Sequence, residues 1–569
     1  MKLLISAPHF AYFKNFESVL EALGARGDEI HVAADEPETF GGRALVERFA
    51  AKYPRISFGN VPSCADEAWM PFASRVRYAL DYVRFLAPRY ADVPKLRLRN
   101  VERAPRIVRW LTEGIGGALF GEHSMSRVLR WLERSMPRSA SMRSWLEAQA
   151  PDALILTSLT FSRSSAIEQL KAARGLGIPV GAAIMSWDHL SSKALLHIAP
   201  DMTLVWNDVQ KNEALDMHGI PPESIVVTGA QCYDQWFDRV PSRTREAFCR
   251  DVGLDPSRPF LLYVCSAMSP VPVPSEPHFV KDWVAALRTS NDPMLRQVGV
   301  VIRPHPERVK EWTDVSLDGF DNVVVRGGTP IDDESKAEYF DALAFSRAVV
   351  GLCTSAFLEA AIAGRPVLTL LLPSYRMHQD GMAHFRYLMN VEGGLLHAAP
   401  DMPAHVRDLS AVLTAPEGRE ERNRRFLSAF VRPQGLDVAA TPRFIAAVED
   451  LARSPRRVDA RFAGATTAQS CVAWLTRATR TGVGHWLMMD AVDIERERSE
   501  EENAQLKRDI VGKRTAYYED KARTREEQQR ERQHVRRTKE WSKWRRGLSA
   551  RKQLARLKGG LKQLAGLGH

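Results

Sequence analysis

The sequence predicts an α/β protein built on two parallel sheets, and three observations carry that expectation. Short β-rich apolar runs alternate with helical runs twice over, first from Lys2 to about Gly229 and again from Phe260 to about Leu370. At 569 residues the chain is too long for one core and suits several units. A polar stretch containing Pro241, from Asp238 to Arg258, separates the two runs and reads as a linker.

In the first run, Leu3-Leu4-Ile5 reads as a strand, Phe16 to Leu23 as a helix stopped at Gly24, and Glu29 to Ala34 as the next strand. Strand, helix and strand within ~35 residues are the mark of a parallel βαβ unit. Phe72 to Ala150 breaks this rhythm: it is rich in Arg, Leu and Trp at helical spacing, with Pro88, Pro94, Pro105 and Pro137 between segments. This predicts a basic helical insertion over about 72–150. Strands resume at Ala153–Thr157, Pro179–Ile184, Met202–Trp206 and Ser224–Gly229, with a helix from Ser164 to Arg174. The second run places strands at Phe260–Val264, Val298–Ile302, Val323–Val325, Ala348–Gly351 and Pro366–Leu370, and Ala404 to Leu451 is helical in pattern. The expected domains are 1–240, 241–455 and a helical or partly disordered tail, 456–569. From Asp493 to Trp541 the chain is charged and lacks sustained apolar heptads. Trp541 to Leu567 then reads as a basic amphipathic helix.

Composition excludes several classes. No run of 18 apolar residues is present, so no transmembrane helix is expected, and the apolar start is too short for a signal-peptide core. The expected location is the cytosol, with attachment to the inner face of the membrane through the tail. The six cysteines are scattered without a CxxC pair, which argues against a disulfide framework or structural zinc. P-loop, Gly-x-Ser-x-Gly and HExxH patterns are absent. Asp332-Asp333-Glu334 has no histidine pattern beside it and reads as a solvated loop, so no metal is expected. The net charge of +10 is local: Lys521 to His569 holds 16 Lys/Arg against 4 Asp/Glu, and Arg75 to Arg143 holds 15 against 6. The rest of the chain is acidic. Trp541 and Trp544 beside Lys543, Arg545 and Arg546 suit an anionic membrane surface, contacted through 541–567, better than nucleic acid.

Two segments of the second run could carry chemistry. Arg303-Pro304-His305-Pro306 follows a strand directly, where parallel sheets bind ligands, so Arg303 and His305 are placed to meet a diphosphate; a stiffened surface loop is the alternative. In Gly351-Leu352-Cys353-Thr354-Ser355-Ala356-Phe357-Leu358-Glu359, a strand gives way to a helix whose first N–H groups are free. Thr354 and Ser355 would sit there, suited to phosphate or to simple capping. Glu359, one turn later, could accept from ribose hydroxyls.

Together these motifs resemble the donor half of the GT-B superfamily. They are similar to bacterial surface-polysaccharide glycosyltransferases, CDP-glycerol glycerophosphotransferases and non-hydrolysing UDP-N-acetylglucosamine 2-epimerases. The resemblance spans about Lys2 to Leu451. It implies two Rossmann-like domains facing a cleft, with His305, Thr354, Ser355 and Glu359 contacting a nucleotide donor and its phosphates. It also implies a metal-independent enzyme with no cofactor beyond the nucleotide-sugar substrate. Cys353-Thr354-Ser355-Ala356 stands where the epimerases carry a Gly-Gly pair, a departure from the epimerase pattern.

In the first run, Ser186-Trp187-Asp188-His189-Leu190-Ser191-Ser192-Lys193 resembles a segment of the same superfamily. Asp188 is the candidate base for an acceptor hydroxyl, with helix capping as the alternative. His9, just after the first strand, is the second catalytic candidate. The expected function is transfer of a sugar from a nucleotide-sugar to a glycan or lipid-linked acceptor of the cell surface. A polyol-phosphate transferase, a sugar-nucleotide 2-epimerase and a non-catalytic scaffold are the alternatives.

Overall fold

The computed structural model describes residues 1–35, 41–113, 121–162, 164–268, 275–313, 315–414, 420–463 and 467–490. The part of the expected tail over 491–569, including the amphipathic segment 541–567, lies outside the described residues.

The first lobe is a seven-stranded, wholly parallel sheet. Its strands are β1 (Lys2–Ala7), β2 (Glu29–Ala34), β3 (Ile56–Asn60), β4 (Ala153–Leu156), β5 (Val180–Ala183), β6 (Met202–Val205) and β7 (Ile225–Val227). Their order is β3-β2-β1-β4-β5-β6-β7. In register, Ile5 lies between Val32 and Ile155. The second lobe is a six-stranded parallel sheet of β8 (Phe260–Val264), β9 (Gly299–Arg303), β10 (Val323–Val325), β11 (Val349–Val350), β12 (Val367–Leu370) and β13 (His397–Ala399). Its order is β10-β9-β8-β11-β12-β13. The strands β4, β8 and β9 are buried at every position because helices cover both faces, and all their residues but the terminal Arg303 of β9 carry no charge. These are the two Rossmann-like lobes expected for a GT-B architecture.

The helical insertion lies between β3 and β4. Its long helix, Met70–Arg84, buries Phe72, Val76, Leu80 and Val83 against Val108, Met125 and Leu129 of the helices Arg106–Thr112 and Glu122–Arg134. Val472 and Met488, from the helices Thr467–Ala478 and Gly482–Met488, complete this core. A buried charge cluster fixes the insertion to the first lobe. Arg77 bonds Glu133 at 2.9 Å and Glu168 at 2.5 Å, and Lys171 meets Glu133 at 2.7 Å, all at most 2% exposed. Burial alone would raise the Glu133 pKa, but Arg77 and Lys171 bring it down to about 2.

The polar stretch from Asp238 to Arg258 is more than a linker. It contains a helix, Arg245–Val252, capped by Thr244, because Phe248, Cys249 and Val252 share a face that packs into the second lobe. The expected second domain, 241–455, in turn lends its last helix to the first lobe. Ala440–Ala452 buries Phe444, Ile445, Val448 and Leu451 beside Leu3, Ile5 and Phe16. Asp234 holds this crossing: it accepts from Arg432 Nη2 at 2.8 Å, from the Thr441 N–H at 2.7 Å and from the Thr441 hydroxyl at 2.7 Å.

Candidate functional site

Where strand order reverses in an open parallel sheet, neighbouring crossovers leave on opposite faces and a crevice opens beyond the carboxyl ends. Here the reversals fall between β1 and β4 and between β8 and β11. Segments beyond β1, β5 and β11 meet in a cleft of about 290 Å³ between the lobes. Tyr12, Lys14, Asp188, His189 and Lys193 line it from the first lobe, and Lys336, Ser355 and Glu359 from the second. A larger groove, about 530 Å³, runs along Arg174, Gly177, Asp201 and Val458 at the amino ends of β5 and β6. Its Arg174 and Arg461 are already paired with Asp201 and Asp459, and it is remote from the strand ends that favour ligands.

On the first-lobe side, Asp188 follows β5 and opens a short helix, His189–Ser192, without capping it through its side chain. Its carboxylate instead accepts from the Ser186 hydroxyl at 2.5 Å and the Ser192 hydroxyl at 3.0 Å. Burial works against its charge, yet His189, His384, Lys193 and the Ser186 bond hold it well below the usual carboxylate range. Burial also brings both His189 and His384 down to about 4, so they are neutral at pH 7. Lys193 and the serine hydroxyls are then what sustain the carboxylate. His189 Nε2 lies 3.4 Å from the Tyr12 hydroxyl, and its ring meets Phe161 edge-on at 5.3 Å. His9 sits one turn upstream, its ring edge-on to Tyr12 at 5.1 Å.

On the second-lobe side, Gly351 follows β11, and a Cβ there would come 2.7 Å from the Val264 carbonyl oxygen. That close approach aims the chain at the turn Cys353-Thr354-Ser355. The Cys353 N–H donates to Ser266 Oγ at 3.0 Å, and the Ser266 N–H is held in turn by Glu276 at 2.8 Å. Ser355 is exposed and makes no capping bond, while Thr354 Oγ1 accepts from the Ala356 N–H at 3.4 Å. Glu359 lies half-buried in the cleft and accepts from the Tyr339 hydroxyl. Burial raises its pKa, opposed by Tyr339, Lys14 and Arg303. Arg303 itself is buried, its guanidinium 4.4 Å over the Tyr339 ring and bonded to the Gly328 carbonyl at 2.8 Å. It shapes the cleft wall through Tyr339. His305 Nδ1 accepts from the Glu307 N–H at 3.3 Å, which leaves Nε2 to carry the proton. Burial lowers its pKa, with Lys14 and Arg308 also lowering it and Glu307 opposing.

The structure thus brings Asp188, Ser355 and Glu359 to one cleft, with Arg303 stacked on Tyr339 behind Glu359 and His305 within electrostatic reach of Lys14. It adds groups that no motif marked: Lys14 and Tyr12 beyond β1, and Lys336 and Tyr339 on the helix Asp333–Phe345. Lys14 is the most informative. Burial lowers its pKa, Glu359 and Glu17 oppose that, and Lys336 adds to it. Lys336 pairs with Glu17 across the lobes. The strand-end rule applied to β1 past His9 would have reached Lys14.

The basic insertion supports the same loop. Arg84 Nη2 donates to the Lys193 carbonyl at 2.6 Å, and Arg99, on the helix Pro94–Val101, donates to the Ser192 carbonyl. Lys95, on that helix, is brought down to about 8 by burial, with Arg99 also lowering it and Cys353 opposing. Across the lobes, Trp187 meets His384 edge-on at 4.8 Å, and the Tyr387 hydroxyl donates to Glu213 at 2.7 Å. Burial raises Glu213 to about 7, with Tyr387 and Ser191 opposing. The folded chain therefore keeps a proton on Glu213 that the unfolded chain releases near pH 4.5, so this carboxyl costs stability as pH rises toward 7. Glu213→Gln, which still accepts from Tyr387, should match the parent at pH 5 and exceed it at pH 8 by up to about 3 kcal/mol. Urea unfolding at the two pH values measures this, and equal gains at both would refute it.

Among the described residues, no group of three or more His, Cys, Asp or Glu is placed to hold a metal. No protein-family model matches the chain, and no curated protein matches it. Solved structures of similar outline include a putative UDP-N-acetylglucosamine 2-epimerase from Listeria monocytogenes, at 12% identity and a TM-score of 0.47 over 81% of this chain and 98% of that one. A glycosyltransferase from Rickettsia africae matches at 9% identity and a TM-score of 0.46, over 80% and 99%. A UDP-GlcNAc 2-epimerase from Neisseria meningitidis, bound to UDP-GlcNAc, matches at 12% and 0.44, over 79% and 100%. The assignment of two Rossmann-like lobes in a GT-B arrangement rests on the sheets of this chain: two parallel sheets, each reversing at its centre, with a shared cleft at the reversals.

Proposed function

We propose that the protein is a glycosyltransferase that moves a sugar from a nucleotide-sugar to an anionic or lipid-linked glycan acceptor. The observation that carries this reading is one cleft holding a charged carboxylate from one lobe and a phosphate-suited turn from the other, with lysines from both lobes beside them. The donor diphosphate lies against the Ser355 hydroxyl and the free N–H groups of the Thr354–Ser355 turn. Lys14 and the Nε2–H of His305 complete its partners, and Glu359 takes the ribose hydroxyls. Asp188 accepts the proton of the acceptor hydroxyl as its oxygen bonds to the anomeric carbon. The bond from that carbon to the diphosphate breaks, and the electron pair leaves on the phosphate oxygen. The cations facing that oxygen stabilise charge as it develops, the role a metal plays elsewhere. Lys95 and Arg99 bring positive charge to the acceptor side of Asp188.

Thermal shifts with UDP, CDP, CMP and GDP test the donor site, because a ligand that binds the native state raises Tm by mass action. One nucleotide should stabilise the parent protein, and Lys14→Met should weaken it by roughly tenfold or more, as expected for a lost charge-assisted bond. His305→Ala should act in the same direction. No shift with any nucleotide would overturn the reading. Conversion of a nucleotide-sugar to its epimer, with no nucleotide released, would replace transfer by epimerisation.

A further inference from the structure

We infer that the helical subdomain carries a docking face for an anionic lipid bilayer. This subdomain comprises the insertion helices together with Thr467–Ala478 and Gly482–Met488. Among the described residues every exposed tryptophan lies on it: Trp110 at 73%, Trp474 at 66%, Trp486 at 53% and Trp131 at 48%. Tryptophan is normally among the most buried side chains by area, so four such rings on one subdomain call for a partner.

These rings are not displaced core residues. The inward faces of the same helices are filled by Val108, Met125, Leu129, Val472 and Met488. Two of the helices present their rings together. The Arg106 guanidinium stacks 4.7 Å over the Trp486 ring, and Trp110 lies four residues on, along the same side of its helix. Val483, three residues before Trp486 and 74% exposed, extends this side. Val128 and Trp131 form a similar i, i+3 pair on Glu122–Arg134.

Charge decides the occupant. The four tryptophan-bearing helices hold six arginines against two glutamates, and one of those, Glu133, is buried in the ion cluster. Indole rings at headgroup depth beside guanidinium groups that meet lipid phosphates are the composition of an interfacial membrane contact. Among the described residues no helix is long and apolar enough to cross a membrane, so the contact is with the surface. The face differs from the tail segment 541–567, and it stands whether or not the cleft transfers sugar.

The test is co-sedimentation of the full chain with vesicles of phosphatidylglycerol and phosphatidylcholine in equal parts, against phosphatidylcholine alone. Neither donor nor acceptor is present, so a failed transferase reading does not affect the result. The parent should sediment with the anionic vesicles. Trp110→Ser with Trp486→Ser should weaken this by at least about tenfold, the scale of removing two large interfacial rings, with Tm unchanged. Trp541→Ser with Trp544→Ser in the full chain should leave the effect of the first pair intact. Equal binding of the parent and the Trp110/Trp486 variant would overturn the inference, as would absence of binding by the parent. Conversion of a self-associated parent to monomer by the same variant, with vesicle binding unaltered, would assign the face to a second copy and also overturn it.

Discussion

Asp188→Asn is expected to lower kcat/KM by about 100- to 10,000-fold, the range for loss of a positioned general base, with little change in Tm. The asparagine oxygen can still accept from one of the two serine hydroxyls that hold Asp188, and the amide can donate to the other. The loop should therefore keep its place while losing its proton acceptor. The pH profile separates this base from a histidine. Asp188 sits well below the usual carboxylate range, and His189 and His384 titrate near 4. The acid limb of kcat/KM should then lie near pH 4 or lower, not near the ~6.5 of an ordinary imidazole. Full activity of the asparagine variant, or an acid limb near pH 6.5, would remove Asp188 from this role.

The second large effect concerns stability. Arg77→Ala should cost about 3–5 kcal/mol, because it leaves Glu133 and Glu168 buried without their shared guanidinium. Lys171 alone then faces both carboxylates, at 2.7 and 3.9 Å. The sign with pH follows from Glu133. Its folded pKa is depressed to about 2, so its contribution is complete above the ordinary carboxylate range and fades as pH falls toward 2. The variant's deficit should accordingly be largest at neutral pH and shrink in acid. Urea midpoints at pH 7 and pH 4 measure it, and a variant as stable as the parent at pH 7 would show that the cluster does not anchor the insertion.

The central strands of both sheets were legible from the chain because they are buried on both faces and read as continuous apolar runs. The edge strands β3 and β13 were not. Ile56-Ser57-Phe58-Gly59-Asn60 buries one residue fully and His397-Ala398-Ala399 one, too little to mark a strand. That Asp188, Ser355 and Glu359 share a cleft is legible in the sequence because each follows soon after a strand in a recognisable run. Lys14 and Tyr12 stand in a 3-10 turn of aromatic residues after β1, Phe10 to Phe16, which reads as core. Lys336 and Tyr339 lie on a helix with no local motif, and only the meeting of the two lobes gives them meaning. The strand end alone points Arg303 at a diphosphate, whereas its guanidinium is buried over the Tyr339 ring. Its stacking on Tyr339 depends on a loop 25 residues away, around Gly328.

The chain passes between the lobes twice, near Pro241 and again before Ala440, and Asp234 bonds the second passage through Arg432 and Thr441. Two tethers side by side act like the pins of a door hinge. Any relative motion of the lobes would have to break cross-lobe contacts such as Lys336–Glu17 and Tyr387–Glu213, and two adjacent tethers would restrict it to rotation about the line joining them. An acceptor held by the first lobe and a donor held by the second would then travel toward each other along a single arc. Under the proposed transfer, the two tethers would then set the direction from which donor and acceptor approach each other.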